Sequence, residues 1–215
     1  MSLRVCLLGW ALLTTVVVVS VVVDPSDIRS GGPPPDGIPP LESPKFEPLT
    51  RSRFEDDARV IVVEIRDDMR VYPLAVMNWH EVVNDVIGGV AVTVSYCPLC
   101  DTAVVFQRTL ENGVITTFGT SGKLFQSCLV MYDRETESLW SQPMTMAISG
   151  QLLNQFVPRV QTAFVTTLGA VREAKPDAKI LSTDTGFERD YFSYPYGNYD
   201  TSTRLHFPIQ CKRCF

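Results

Sequence analysis

Short runs of β-branched and aromatic residues, separated by turn-forming residues, dominate the hydrophobic pattern from residue 59 onward. Residues 60–65 form one such run, a pair of aspartates suits a turn, and residues 70–73 begin a return strand, so the pattern predicts a β-hairpin. Asn112-Gly113 predicts a second hairpin turn, because both of its central positions need positive φ. Further strands are predicted over residues 90–96, 103–108, 114–118, 129–132 and 138–140.

The spacing of apolar residues predicts two short helices among these strands. Residues 74–85 carry apolar side chains among polar ones without Gly or Pro, and Gly88 and Gly89 would end that helix. Residues 162–175 alternate apolar and polar residues at helical spacing up to the next proline. The pattern as a whole predicts a single α+β domain over residues 51–209, rich in antiparallel strands and hairpins.

Three segments outside that domain differ from it in composition. Residues 1–23 combine Arg4 with a long uncharged stretch, which predicts a secretory signal peptide or, if uncleaved, a membrane anchor. Residues 24–50 hold eight of the 15 prolines and predict an extended Pro/Gly-rich linker, and residues 210–215 form a short C-terminal tail. We therefore expect a secreted or extracytoplasmic protein, tethered to the membrane through residues 5–23 if that stretch is retained.

Composition and charge narrow the class of protein and of partner. A chain of 215 residues with 45% hydrophobic content suits one globular domain and excludes wholesale disorder. Lys and Arg number 19 against 24 Asp and Glu, so the net charge is -5 and no basic block interrupts it. Nucleic acid binding needs a positive surface, and it is therefore not expected. The sequence identifies no other partner.

The candidate chemistry lies in a stretch with few charges. Between residues 71 and 106 only three residues are charged and none is basic, so most of this stretch is expected inside the protein. It contains His80, Cys97 and Cys100. The predicted helix places His80 with three further polar residues, Asn78, Glu81 and Asn84, which form either a satisfied hydrogen-bond network or a reaction site.

The Cys97-Pro98-Leu99-Cys100 turn is the strongest chemical feature. Two intervening residues allow a tight turn to direct both sulfur atoms at one metal ion. Our leading hypothesis is a Zn or Cu site formed by Cys97, Cys100 and His80, whose donor atoms we expect within a few ångströms of one another. Other residues that could complete the ligand set are Cys128, Met131, Cys211 and Cys214.

Two other interpretations use the same cysteines. The turn could perform thiol–disulfide exchange or Cys–His nucleophilic catalysis, with Cys97 as nucleophile and His80 as its base. Alternatively, the cysteines only crosslink a structural module through disulfides. Without Cys6 the chain has five cysteines, an odd number, so at least one thiol stays free or pairs between chains. Cys128 lies outside the turn, and we expect it to be dispensable.

Four blocks of this sequence support a family resemblance. They are YPLAVMNWHEVVNDVIGG from Tyr72, VSYCPLCDTAVVF from Val94, FGTSGKL from Phe118 and LVMYDRETESLWSQ from Leu129. In this order and spacing they resemble the family catalogued as domain of unknown function 3179. The resemblance implies an extracytoplasmic or membrane-tethered domain with no established activity. Cys128 departs from the family, which more often has a residue without a thiol there.

Overall fold

The computed structural model describes residues 23–204, 206–207 and 209, and these residues form thirteen strands and two α-helices. In chain order the elements are β1 (Ile28–Ser30), β2 (Phe46–Pro48), β3 (Arg59–Ile65), β4 (Asp68–Pro73), α1 (Leu74–His80), β5 (Val82–Ile87), β6 (Val90–Cys97), β7 (Thr102–Gln107), β8 (Phe118–Phe125), β9 (Cys128–Asp133), β10 (Leu139–Ser141), β11 (Met146–Ser149), β12 (Ala163–Thr167), α2 (Leu168–Ala174) and β13 (Lys179–Leu181). Within the described ranges, no helix has the length and apolar character needed to cross a bilayer. The predicted targeting segment, except Val23, and the predicted tail over residues 210–215 lie outside the described residues.

The strands form three sheets. Their orders are β1-β8-β9-β10-β11, β12-β3-β4-β13-β2 and β5-β6-β7. Neighbouring strands are antiparallel, except for the parallel pair β4 and β13. This β-rich arrangement with two short helices confirms the predicted α+β class.

Strand β6 lies between the two larger hydrophobic cores. Val92 and Val94 belong to the first core, which also contains residues of β3, β4 and both helices. Cys97 belongs to the second core, where Phe118 packs edge-on against Trp140. Side chains of a strand alternate between its two faces, so neighbouring residues of β6 contribute to both cores. Because β6 packs on both cores, the cysteine turn at its end is held close to the protein interior.

The local strand predictions are largely confirmed. Strands β3 and β4 form the expected hairpin, with Val60 opposite Pro73 and Ile65 opposite Asp68. The β-branched run of β3 is buried on both faces, which explains why it is continuous and not alternating. Strands β6, β7, β9 and β10 also form close to their predicted positions.

The helix predicted over residues 74–85 is too long. Helix α1 ends at His80, Glu81 adopts a positive φ of 58°, and strand β5 begins at Val82. Gly88 and Gly89, both at positive φ, form the two-residue turn between β5 and β6 and do not cap a helix. The apolar residues after Glu81 fit the spacing of a helix and that of a strand. They form a strand because they pair with β6.

Two further predictions need correction because the chain changes element within the segment. Asn112-Gly113 forms the predicted turn, but only one antiparallel bridge, between Thr109 and Ile115, closes around it. Strands β7 and β8 belong to different sheets, so the predicted strand over residues 114–118 does not extend and the hairpin is reduced to this bridge. In the predicted helix over residues 162–175, the first part is strand β12, paired with β3, and only Leu168–Ala174 is helical. The β-branched and aromatic residues of β12 favour the strand.

The segment over residues 24–50 is not the predicted extended linker. Strand β1 pairs with β8, and β2 pairs with β13. Leu41 is 4% exposed, and its backbone N–H donates to the carbonyl of Val82 over 2.9 Å. Gly122, at φ 69°, leaves no room for a Cβ beneath the carbonyl of Pro33, so the proline-rich part also packs closely on the domain. A few apolar residues among the prolines supply the buried surface that composition alone did not reveal.

Leu41→Ala tests this packing. We expect it to lower the free energy of unfolding by about 2–5 kcal/mol, because it removes a buried side chain. Urea unfolding of the full chain measures the change. The matched control is Leu153→Ala, at a side chain that is 48% exposed. We expect this substitution to lower the free energy of unfolding by about 0.5 kcal/mol or less. Equal effects of the two substitutions would show that residues 24–50 form a detached linker after all.

Candidate functional site

The β6–β7 hairpin positions Cys97 and Cys100. Cys97 is the last residue of β6 and pairs with Thr102, so a four-residue loop that contains Cys100 joins the strands. The hydroxyl of Tyr199 donates to the carbonyl of Leu99 over 2.9 Å and holds this loop from the C-terminal side. The structure therefore brings the two predicted cysteines together in one anchored turn.

Asp101 fixes the other end of the loop. Its carboxylate accepts hydrogen bonds from Arg59 Nη1 and Nη2 over 3.0 and 3.2 Å, and from the Tyr96 hydroxyl over 2.8 Å. Asp101 has a φ of 46°, a left-handed conformation that is unfavourable for a residue with a side chain. The three hydrogen bonds compensate for this conformation and hold the loop in one position.

Cys128 is a third member of this group, although it lies outside the turn and the sequence suggests it only as one of several further ligands or as dispensable. It begins β9 directly after a two-residue turn formed by Gln126 and Ser127, at φ 51° and 63°. Its thiol hydrogen-bonds to Cys100. No local pattern connects β6 with β9, so the sequence offered no signal for this contact apart from the thiol itself.

The three thiols are arranged as a chain with Cys100 in the middle. Hydrogen bonds from Cys128 and Cys97, joined by those from Thr102, lower the pKa of the Cys100 thiol although burial opposes this. The pKa of Cys97 and that of Cys128 are both raised, by the hydrogen bond to Cys100 and by burial. All three cysteines of the described residues are free thiols. The arrangement therefore favours one thiolate, on Cys100, between two neutral thiols.

Only part of this group is accessible. Cys97 is 1% exposed, whereas Cys100 and Cys128 are partly exposed. A cavity of about 580 Å³ reaches Cys100, and the loop, helix α1 and the C-terminal segment form its walls. A molecule in this cavity would meet Cys100 and not Cys97. The role of Cys97 as nucleophile stays a prediction, and the exposure of the two sulfurs favours Cys100 instead.

Glu81 adds a buried carboxyl group beside the thiols. It lies between α1 and β5, where its carbonyl accepts a hydrogen bond from the N–H of Tyr96 over 2.8 Å. Its Oε1 accepts from the Tyr196 hydroxyl over 2.7 Å. Burial raises the pKa of Glu81 to about 7, and the charge of Cys100 acts in the same direction. A carboxyl group with this pKa can both give and take a proton near neutral pH.

His80 does not take part in this group. Its Nδ1 lies 2.7 Å from the carbonyl of Pro39 and its Nε2 lies 2.7 Å from the hydroxyl of Tyr191. Since a carbonyl only accepts, Nδ1 carries the proton and Nε2 accepts from Tyr191. Burial lowers the pKa of His80, which keeps the ring neutral. The structure thus places His80 in a satisfied hydrogen-bond network, and neither ring nitrogen is available to a metal or to a thiol.

The metal hypothesis stays a prediction. Among the residues that the structure describes, no group of three or more His, Cys, Asp and Glu side chains is arranged to hold a metal ion. Cys211 and Cys214 lie outside the described residues.

Comparison with known proteins identifies a family and no activity. The family model described as a protein of unknown function (DUF3179) matches residues 35–213, which confirms the resemblance found in the sequence. No curated protein and no solved structure matches the chain. The match begins inside the segment over residues 24–50, in agreement with the packing of that segment on the domain.

The raised pKa of Glu81 has a measurable effect on stability. In the unfolded chain this carboxyl ionises near its ordinary pKa, and in the folded chain only at about 7, so its stabilising effect is present at low pH and is lost as the pH rises through about 7. Glu81→Gln keeps the acceptor for Tyr196 and serves as the reference. Relative to this variant, the free energy of unfolding of the wild type should fall by on the order of 3 kcal/mol between about pH 4 and pH 8. Thermal unfolding of both proteins across this range is the measurement. Parallel pH profiles would contradict the buried, proton-exchanging carboxyl.

Proposed function

Because the chain belongs to the DUF3179 family, whose function is unknown, we propose from its own geometry that this domain catalyses thiol–disulfide exchange with Cys100 as the nucleophile. The observation that carries the proposal is the position of Cys100, which lines a cavity and lies beside two further thiols whose hydrogen bonds lower its pKa. The thiolate is the reactive form of cysteine, and a lowered pKa together with partial exposure is typical of reactive cysteines.

In the first step the Cys100 thiolate attacks one sulfur of a substrate disulfide. A new bond forms between Cys100 and that sulfur, the substrate S–S bond breaks, and the leaving thiolate takes a proton from the Glu81 carboxyl group. The product is a mixed disulfide. The lowered pKa of Cys100 keeps it ionised for this attack, whereas Cys97 and Cys128 remain protonated.

In the second step Cys97 resolves the mixed disulfide. Its thiol returns a proton to the Glu81 carboxylate, and the resulting thiolate attacks the Cys100 sulfur. A Cys97–Cys100 disulfide forms and the second substrate thiolate leaves, so two electrons pass from the protein to the substrate. The charge of Glu81 acts on Cys97 but is not among the influences on Cys128, which favours Cys97 as the resolving thiol. Cys128 then serves to stabilise the Cys100 thiolate.

A secreted or extracytoplasmic location, as proposed for residues 1–23, is consistent with this chemistry. Disulfides form and persist outside the cytosol, so substrates of the required class are present there. Metal binding is the second candidate, and the contact between the three thiols supports it, because thiolates suit Zn²⁺ and Cu(I). To join such a site, His80 would have to give up the hydrogen bond between its Nε2 and the Tyr191 hydroxyl, whereas the Nδ1–H bond to Pro39 could remain.

Variants of the three cysteines separate these functions. When the reduced full chain meets hydroxyethyl disulfide, Cys97→Ser should accumulate a mixed disulfide at Cys100, and Cys100→Ser should form no adduct in the turn. The wild type should form the Cys97–Cys100 bond, and Cys128→Ala should do so about tenfold more slowly, since Cys100 loses a hydrogen-bond donor. Non-reducing mass spectrometry with peptide mapping identifies each product.

Two results would overturn the proposal. One is an adduct at Cys97 in Cys100→Ser that forms as fast as the wild-type reaction, which would make Cys97 the nucleophile. The other is stoichiometric Zn or Cu in wild-type protein purified without chelator, with loss of that metal from each single cysteine variant, because a closed site loses its ion with one ligand. The second result would establish metal binding instead.

A further inference from the structure

The cavity beside Cys100 is large enough for an amino-acid side chain and part of its backbone. Its volume is about 580 Å³. Helix α1 contributes Asn78 to its wall, the cysteine loop contributes Asp101, and the C-terminal segment contributes Tyr194, Tyr199 and Asp200. Residues from three distant parts of the chain therefore determine which groups can approach the Cys100 sulfur.

The charge of this cavity is negative. Among the described residues Arg59 is the only basic one in its wall, and its ion pair with the Asp101 carboxylate neutralises it. Asp200 is exposed and has no ion-pair partner within the described part of the chain. The thiolate of Cys100 adds a further negative charge. An anionic ligand would be repelled and a cation attracted.

Asn78 provides an independent observation. Its Oδ1 is buried and has no hydrogen-bond partner among the described residues, although the side chain lines the cavity. An unpaired buried acceptor is unfavourable, so a ligand gains affinity when the Asn78 side chain rotates to accept from its N–H group. The missing partner is a donor, and a carboxylate ligand cannot provide one.

The aromatic residues of the wall favour the same kind of ligand. Tyr96, Tyr194 and Tyr199 all line the cavity. Tyrosine rings attract ammonium and guanidinium groups through their π electrons, with a larger effect at desolvated sites. Three tyrosines, together with a carboxylate and an amide oxygen that have no partner in the described part of the chain, favour a cation that carries N–H groups.

We infer that this cavity binds a protonated amine or guanidinium group, such as a Lys or Arg side chain next to the cysteine of the disulfide substrate. The inference rests on the proposed exchange function for the identity of the substrate, but not for the binding itself. A basic residue held by Asp200 and Asn78 would place the neighbouring disulfide beside Cys100. Disulfides with carboxylate neighbours would be poor substrates.

Binding of small probes tests the cavity without any thiol chemistry. Nα-acetyl-arginine amide should bind to the reduced full chain at least about tenfold more tightly than its neutral isostere Nα-acetyl-citrulline amide, as measured by NMR titration. Asp200→Asn and Asn78→Leu should each weaken arginine binding about three- to tenfold. Asp177→Asn is the matched control, because it removes the same charge at an exposed residue outside this cavity. Equal binding of the two probes, or equal effects of Asp200→Asn and Asp177→Asn, would overturn the inference.

Exchange rates then distinguish failure of this inference from failure of the proposed function. Cystamine, with two amines, should react faster than neutral hydroxyethyl disulfide, and anionic dithiodipropionate should react slowest. Asp200→Asn should reduce the differences in rate between these three disulfides. Equal rates for the three disulfides would refute the cation preference and leave the exchange function intact. Selective arginine binding without reaction of any disulfide would support the cation site and refute the exchange function.

Discussion

A negatively charged sulfur that is partly buried needs hydrogen-bond donors, because burial penalises the charged form of a thiol. Cys100 obtains these donors from Cys128, Cys97 and Thr102. Cys97 ends β6, Thr102 begins β7, and Cys128 begins β9 in another sheet. The thiolate is therefore stabilised only when the three-stranded sheet packs against β8 and β9 around the second core. The reactivity that we propose for the site thus depends on tertiary packing.

The backbone around the thiols is held in uncommon conformations. Glu81, Asp101 and Ser127 have φ values of 58°, 46° and 63°. Each such residue costs on the order of 1–3 kcal/mol and persists only where its surroundings hold it in place. Here the C-terminal segment provides much of that support, through Tyr196 at Glu81 and Tyr199 at the cysteine loop. The same segment forms a wall of the cavity, so it links the geometry of the thiols to the ligand recognition that we propose.

The parts of this site that sequence could predict are those that depend on contacts close along the chain. The β-branched run of β6 and the turn after it identify Cys97 and Cys100 as neighbours, and the structure confirms this. The contact of Cys128 with Cys100 joins different sheets and has no local pattern. His80 was grouped with the cysteines because it shares their apolar stretch, yet its ring turns to Pro39 and to a tyrosine far along the chain. Proximity in sequence does not decide which way a buried polar side chain faces.

The absorbance of thiolates in the ultraviolet tests the central claim most directly, since an ordinary cysteine is almost fully protonated at about pH 6. The reduced full-length protein should show about one thiolate per chain at that pH, lost in Cys100→Ser and diminished in Cys128→Ala. Thiolate absorbance that first appears near pH 8 in the wild type, or that persists at about pH 6 in Cys100→Ser, would contradict the assignment of Cys100 as the stabilised thiolate.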